Sequence, residues 1–384
     1  MDKILFVTQT LRHKEACGIG LIGKLLGESL VKSKKYDFEI FYTDFKNELE
    51  NKIIETNPKV IIYNYHPQTT PWVHNQSLRN RFSSIIHIML HHDIHQQIID
   101  SYTPTKYFGF KYLVTADRSL KGNDHVFLVN RLTPPYKPKP YRDRGIPVIG
   151  FQGFGPRHKG IHKIAEKVQE EFDEAIIRLH IPFSFYGDPI GSEAKSRVAE
   201  VMNIIKKPGI KIEASHDLLS TQQFVEFLGQ NTINCYFYDY LPGAGLASSP
   251  DYALAARRPI AITNSHQLRN FIGLTPSICI ENNSLRDIIS FGTTPLETLY
   301  NSYAEENVLS DYEKIIDHII QNHKPSLAIV PSHNINYALA HFISNLPARS
   351  VPAKIILKFL PRFVKSILKK LRNKAKVIAA SGER

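Results

Sequence analysis

Lys3-Ile4-Leu5-Phe6-Val7-Thr8 is a short apolar run that closes on a polar residue, and after a loop from Gln9 the residues Cys17-Gly18-Ile19-Gly20 open a segment, Leu21 to Val31, whose apolar positions recur at helical spacing. A buried-type strand, a glycine turn and a helix in that order are the opening of a doubly wound sheet. Working outward, the same logic predicts strands at Phe38 to Tyr42, Val60 to Tyr65, Ile85 to Leu90, Tyr112 to Thr115 and Val126 to Asn130, with helical spacers between several of them. Alternation of this kind argues for a parallel sheet covered by helices on both faces.

Pro134, Pro135, Pro138 and Pro140 then lie among lysines and arginines as far as Arg144. That composition is stiff and poorly suited to a core, which places a domain boundary there. Beyond it the pattern restarts. Val148 to Phe151 is a strand, Gly153 to Gly160 a glycine-rich turn before a helix, and Phe183 to Tyr186 begins the next strand; Ile210 to Glu213, Thr232 to Phe237, Pro259 to Thr263 and Ser277 to Ile280 supply more. The division predicted is a Rossmann-like domain over residues 1–140, a second over 146–330, a return helix over 331–348 and a tail over 349–384.

A chain of 384 residues fits two cores better than one. Hydrophobic residues at 42% and charged residues at 22% exclude a disordered chain, and no run approaches the roughly 18 apolar residues of a membrane span. Cys17, Cys235 and Cys279 form neither a bridge framework nor a zinc clamp, and the N-terminus reads as a first strand and not as a secretion signal, so a reducing, cytoplasmic setting is expected. The net charge of +12 is unevenly placed: from Arg349 onward the cations face a single acid, Glu383, leaving only about +2 on the preceding body. Without a basic body, nucleic-acid binding is not expected.

Ligands of open parallel sheets bind outside the carboxyl ends of the strands. Gly18 and Gly20 follow the first strand; Gly153, Gly155, Arg157, Lys159 and Gly160 follow the first strand of the second half; Gly243 and Gly245 precede a helix near Pro250. Each turn alone is either an anion cradle or a plain strand-to-helix turn. Together they could converge on a diphosphate across an interdomain cleft.

The opening strand with its Gly-Ile-Gly, the Pro-Arg-His-Lys-Gly turn at 156 to 160, and the stretch from Leu-Pro-Gly-Ala-Gly-Leu to Ala-Ala-Arg-Arg-Pro-Ile-Ala-Ile-Thr at 241 to 263 resemble, in order over roughly residues 3 to 330, the retaining GT-B glycosyltransferases of the family 4 type. The resemblance implies that Gly18 and Gly20 approach the donor phosphates and the acceptor. It implies that Lys159, with Arg157 as a second cation, pairs with the donor diphosphate, whose charge grows in the transition state, so that no metal is required. It also implies that His92, in His92-Asp93, faces the sugar ring. Three imidazoles and a carboxylate, His91, His92, Asp93 and His95, raise a metal reading too, but their spacing fits no zinc pattern and no metal site is expected.

One departure matters. Ala244 and Tyr252 stand where the family carries its pair of glutamates, the second of which normally binds the donor's ribose. Asp251, one residue away, could substitute, and the hydroxyls of Ser248 and Ser249 could bind phosphate or cap the helix. Glu281 could face the nucleotide or cap a helix. In the tail, Ile355, Ile356, Leu357, Phe359, Leu360, Phe363, Val364, Ile367, Leu368 and Leu371 recur between cations at mainly helical spacing. That is the pattern of a basic amphipathic helix on an anionic membrane surface, with Pro361 dividing it.

The expected function is sugar transfer from a nucleotide-sugar to a glycan or lipid-linked acceptor at the inner face of the cell membrane, in cell-surface polysaccharide synthesis. A nucleotide-sugar epimerase of the same fold, or a non-catalytic sugar-binding subunit, are the alternatives.

Overall fold

The computed structural model describes residues 1–11, 18–66, 70–104, 107–184 and 187–323. The predicted return helix and the basic tail lie outside these residues. The first sheet contains β1 (Lys3–Thr8), β2 (Asp37–Tyr42), β3 (Val60–Tyr65), β4 (Ile86–His91), β5 (Tyr112–Thr115) and β6 (Val126–Leu128) in the order β2-β1-β3-β4-β5-β6. The second contains β7 (Val148–Gln152), β8 (Ala175–His180), β9 (Ile210–Ser215), β10 (Ile233–Tyr236) and β11 (Ile260–Ile262) in the order β11-β10-β7-β8-β9. Every pairing is parallel. The strand order reverses beside β1 in one sheet and beside β7 in the other, so each has its crevice where a Gly-bearing turn leaves its first strand.

The helices that matter to the site are α1 (Gly18–Leu30), α2 (Ile161–Glu171), α3 (Ser192–Ile204), α4 (Thr221–Gly229), α5 (Ser249–Ala255) and α6 (Glu305–Asn322). β3 and β4 are buried at every residue, as strands covered on both faces require. α2 buries Ile161, Ile164, Ala165 and Val168, one helical face, in the core of the second sheet. Two doubly wound domains thus face each other across a cleft.

Two predicted elements are corrected. The strand next to β7 is Ala175–His180, which bonds to β7 and β9 along its whole length; of the predicted Phe183 to Tyr186, the described part is a loop in which Ser184 and Asp188 exchange backbone bonds of 3.2 and 2.9 Å. Asp188 there accepts from the Ala194 amide at 2.9 Å and so holds the start of α3. Ser277 to Ile280 shrinks to a single bridge between Cys279 and Ile262. In addition the chain crosses back earlier than predicted: α6 lays Val308, Tyr312, Ile316 and Ile319 into the core of the first sheet. No helix among the described residues is long and apolar enough to cross a membrane.

Candidate functional site

In the first domain α1 begins almost in contact with the strand ends. A methyl group at Gly23 would lie 2.1 Å from Asn64 Nδ2, and one at Gly20 would lie 2.3 Å from Gln9 Nε2, so only glycine lets the helix approach this closely. Asn64 uses the room. Its Nδ2 donates to Thr8 Oγ1 at 2.9 Å and to the Ile19 carbonyl at 3.1 Å, and its Oδ1 meets His92 Nε2 at 2.6 Å. With Nδ2 committed as donor, His92 Nε2 carries the proton and Nδ1 is the acceptor. Burial pushes the His92 pKa down to about 3, with Arg131 and His66 adding to the effect, so the ring is neutral at physiological pH. A neutral, fixed imidazole of this kind orients a hydroxyl; it is no store of protons for acid catalysis.

In the second domain β7 ends at Gln152, and the single turn Arg157–Lys159 leads through Gly160 into α2. Gly160 has φ 62° and would place a methyl 1.8 Å from the Phe237 carbonyl oxygen. Gly160→Ala is therefore expected to cost upward of about 2 kcal/mol, measured as a lower denaturant midpoint. The turn carries Lys159 onto the Tyr238 ring, Nζ lying 3.9 Å from its centroid. Among the described residues no carboxylate pairs with it. Burial alone lowers its pKa to about 7. Arg157, by contrast, is exposed and pairs with Glu200 of α3 at 2.9 Å, so the structure does not bring it to Lys159 as a second cation.

The glycine turns of the two domains meet. A methyl at Gly18 would lie 3.2 Å from Ser248 Oγ, and one at Gly153 would lie 3.3 Å from Ser249 Oγ. The start of α1, the end of β7 and the start of α5 are thereby gathered in one place. Neither serine hydroxyl caps α5. Tyr236, whose ring is 6.0 Å from that of Tyr238, donates to the Ser249 carbonyl at 3.3 Å, which puts the wall that carries Lys159 next to these serines. Gly243 and Gly245 also face the first domain: methyl groups there would lie 3.5 Å from His95 and 2.4 Å from Asp93 Oδ1, respectively. Asp93 is thus packed against Gly245, beside His92.

Two ion pairs cross between the domains, one buried and one partly buried, and of their four residues only Asp251 is marked by the sequence pattern. Arg131 Nε donates to both Asp251 oxygens at 2.9 and 3.0 Å, Nη2 adds a third bond at 2.5 Å, and both side chains are buried. Asp251 is therefore bound to a guanidinium instead of standing open for a ribose. Reciprocally, Arg269 of the second domain bonds Asp117 of the first and donates to the Ile94 carbonyl at 3.3 Å. Glu281 accepts from the Asn264 amide at 2.9 Å, holding the turn after β11. No three His, Cys, Asp or Glu side chains among the described residues gather closely enough to hold a metal ion.

Neither a protein-family model nor a curated protein matches the sequence. Solved structures do match. The N-terminal domain of Candida albicans trehalose-6-phosphate phosphatase superimposes with a TM-score of 0.56 at 10% identity, over 84% of this chain and 97% of that one. An α,α-trehalose-phosphate synthase (UDP-forming) from Burkholderia xenovorans, solved with glucose-6-phosphate, does so with 0.54 at 9% identity, over 84% of this chain and 100% of that one. The chain has the GT-B fold. At such identities the likeness carries the GT-B architecture alone, and the chemistry must be argued from the side chains.

Proposed function

We propose that this GT-B protein transfers a sugar from a nucleotide-sugar to a glycan or lipid-linked acceptor, with retention of configuration, at the inner face of a cell membrane. The observation that carries the reading is the meeting of Gly18, Gly153, Ser248 and Ser249 beside a lysine that lacks a carboxylate partner among the described residues. Backbone amides at helix starts and an ammonium group suit a diphosphate. A desolvated lysine next to such an anion regains its charge. In the reaction the bond from the anomeric carbon to the diphosphate oxygen breaks while the acceptor oxygen bonds to that carbon, and the acceptor proton passes to the departing phosphate oxygen. Charge building on the diphosphate is met by Lys159 and the amides. His92 Nδ1 holds a ring hydroxyl, and Ser248 and Ser249 bind phosphate. The membrane location rests on the basic, apolar spacing of residues 349–384.

Incubation with a panel of nucleotide-sugars and a membrane lipid extract tests the reading. Sugar appearing on lipid or glycan is the expected result. An isomerised donor would instead mean an epimerase, and a donor bound without transfer or hydrolysis would mean a sugar-binding subunit. The last alternative is favoured by Asp251, which Arg131 occupies where a ribose ligand is expected.

The lowered Lys159 pKa gives a pH dependence. Below pH 7 the ammonium is already charged; above it, binding a diphosphate draws a proton onto Lys159, so affinity falls as pH rises, by up to about tenfold per unit. Calorimetric titration between pH 7 and 9 should show proton uptake in the wild type and lose that component in Lys159→Met.

A further inference from the structure

We propose that Gln9 reads a sugar: its carboxamide hydrogen-bonds a pair of ring hydroxyls held at the carboxyl end of the first sheet. The inference deepens the transferase reading and rests on it. Gln9 follows β1 directly, is 1% exposed, and among the described residues neither its Nε2 nor its Oε1 has a hydrogen-bond partner. Buried amides are nearly always bonded, and an amide left empty at both ends is costly, so a glutamine kept here asks for something that completes it. The surroundings are built for that side chain. Gly20 makes room for Nε2, to which a methyl there would come within 2.3 Å, and the adjacent Asn64, under the same first turn of α1, is fully bonded to Thr8, Ile19 and His92. One amide therefore organises the turn, and the other is left over.

The two empty atoms also define the chemistry of what they would take. Nε2 needs an acceptor and Oε1 needs a donor, so a phosphate, which only accepts, answers half of the requirement; hydroxyls answer both. Gln152, the last residue of β7, lies at the corresponding end of the second domain's first strand and likewise has a buried Oε1 without a partner among the described residues. A glutamine thus directly follows β1 and closes β7, each at the crevice of its sheet. Gln9 belongs to the domain that offers His92, and the sugar is either that of the donor or that of the acceptor.

The experiment compares wild type with Gln9→Leu, an apolar residue of similar reach. Without ligand, Gln9→Leu is expected to melt about 2–4 °C higher, because an unbonded buried amide is gone. UDP, GDP, ADP and TDP, alone and as hexose conjugates, are then titrated by calorimetry. Undiminished nucleotide binding with loss of the extra affinity given by the hexose assigns Gln9 to the donor sugar. Retained hexose affinity with a ten- to hundredfold loss of kcat/KM at limiting acceptor, by the order of one or two hydrogen bonds, assigns it to the acceptor sugar. If Gln9→Leu leaves both sugar-dependent terms unchanged, as for an amide completed by a buried water, the proposal is overturned. Failure of the wild type to bind any of these nucleotides removes the donor reading instead; the melting comparison then decides for Gln9, a rise supporting the proposal and a fall overturning it.

Discussion

Lys159→Ala is expected to lower kcat/KM for sugar transfer by about 10²–10³-fold, on the scale of removing one preorganised group from a developing negative charge. The side chain reaches its position by backbone geometry: Lys159 donates its amide to the Pro156 carbonyl at 2.9 Å, and the left-handed Gly160 after it closes against Phe237. Truncating the side chain breaks none of these bonds, and the ammonium lies on the Tyr238 ring with no carboxylate partner among the described residues, so the variant should fold. Lys159→Met should be equally inactive while melting no lower than wild type, since an apolar chain suits that half-buried position on the Tyr238 ring better than a partly charged one. Steady-state kinetics with thermal melting checks both. An unchanged rate in either variant would remove Lys159 from the site.

The second large effect concerns stability. Removing one partner of the Arg131–Asp251 pair leaves an unpaired charge in a buried interface, and Arg131→Ala or Asp251→Ala should each cost about 3–5 kcal/mol. Burial pushes the Asp251 carboxyl up, and only the Arg131 charge and hydrogen bonds oppose it. Removing both partners should cost much less than the two losses added together, and the difference is the coupling between the domains. Denaturant titration of the two single variants and the double variant gives it; additive losses would mean that the pair does not act as a unit.

The sheets were legible because their strands are apolar runs bounded by turn residues. Val60–Tyr65 and Tyr112–Thr115 have the limits the pattern set. β8 was not: only Phe172, Asp173 and Glu174 separate it from α2, without a glycine or proline to mark the change, and Arg178 breaks its apolar run by lying over the Phe227 ring at 4.1 Å. The aromatic cluster after it drew the strand too far along the chain. At the site, glycine turns and Lys159 could be picked out by type and place. Arg131, Asp117 and Arg269 could not, because an ion pair across more than a hundred residues leaves no local spacing. The one available hint was Asn64, a polar residue in an otherwise apolar strand, whose role appears only once α1 is laid over it.

The most direct test is a crystal structure of the protein with a nucleoside diphosphate. The account predicts the diphosphate between the start of α1 and the start of α5, within hydrogen-bond distance of Lys159 Nζ and of Ser248 or Ser249. A diphosphate bound elsewhere, with Lys159 still lying on Tyr238, would contradict it.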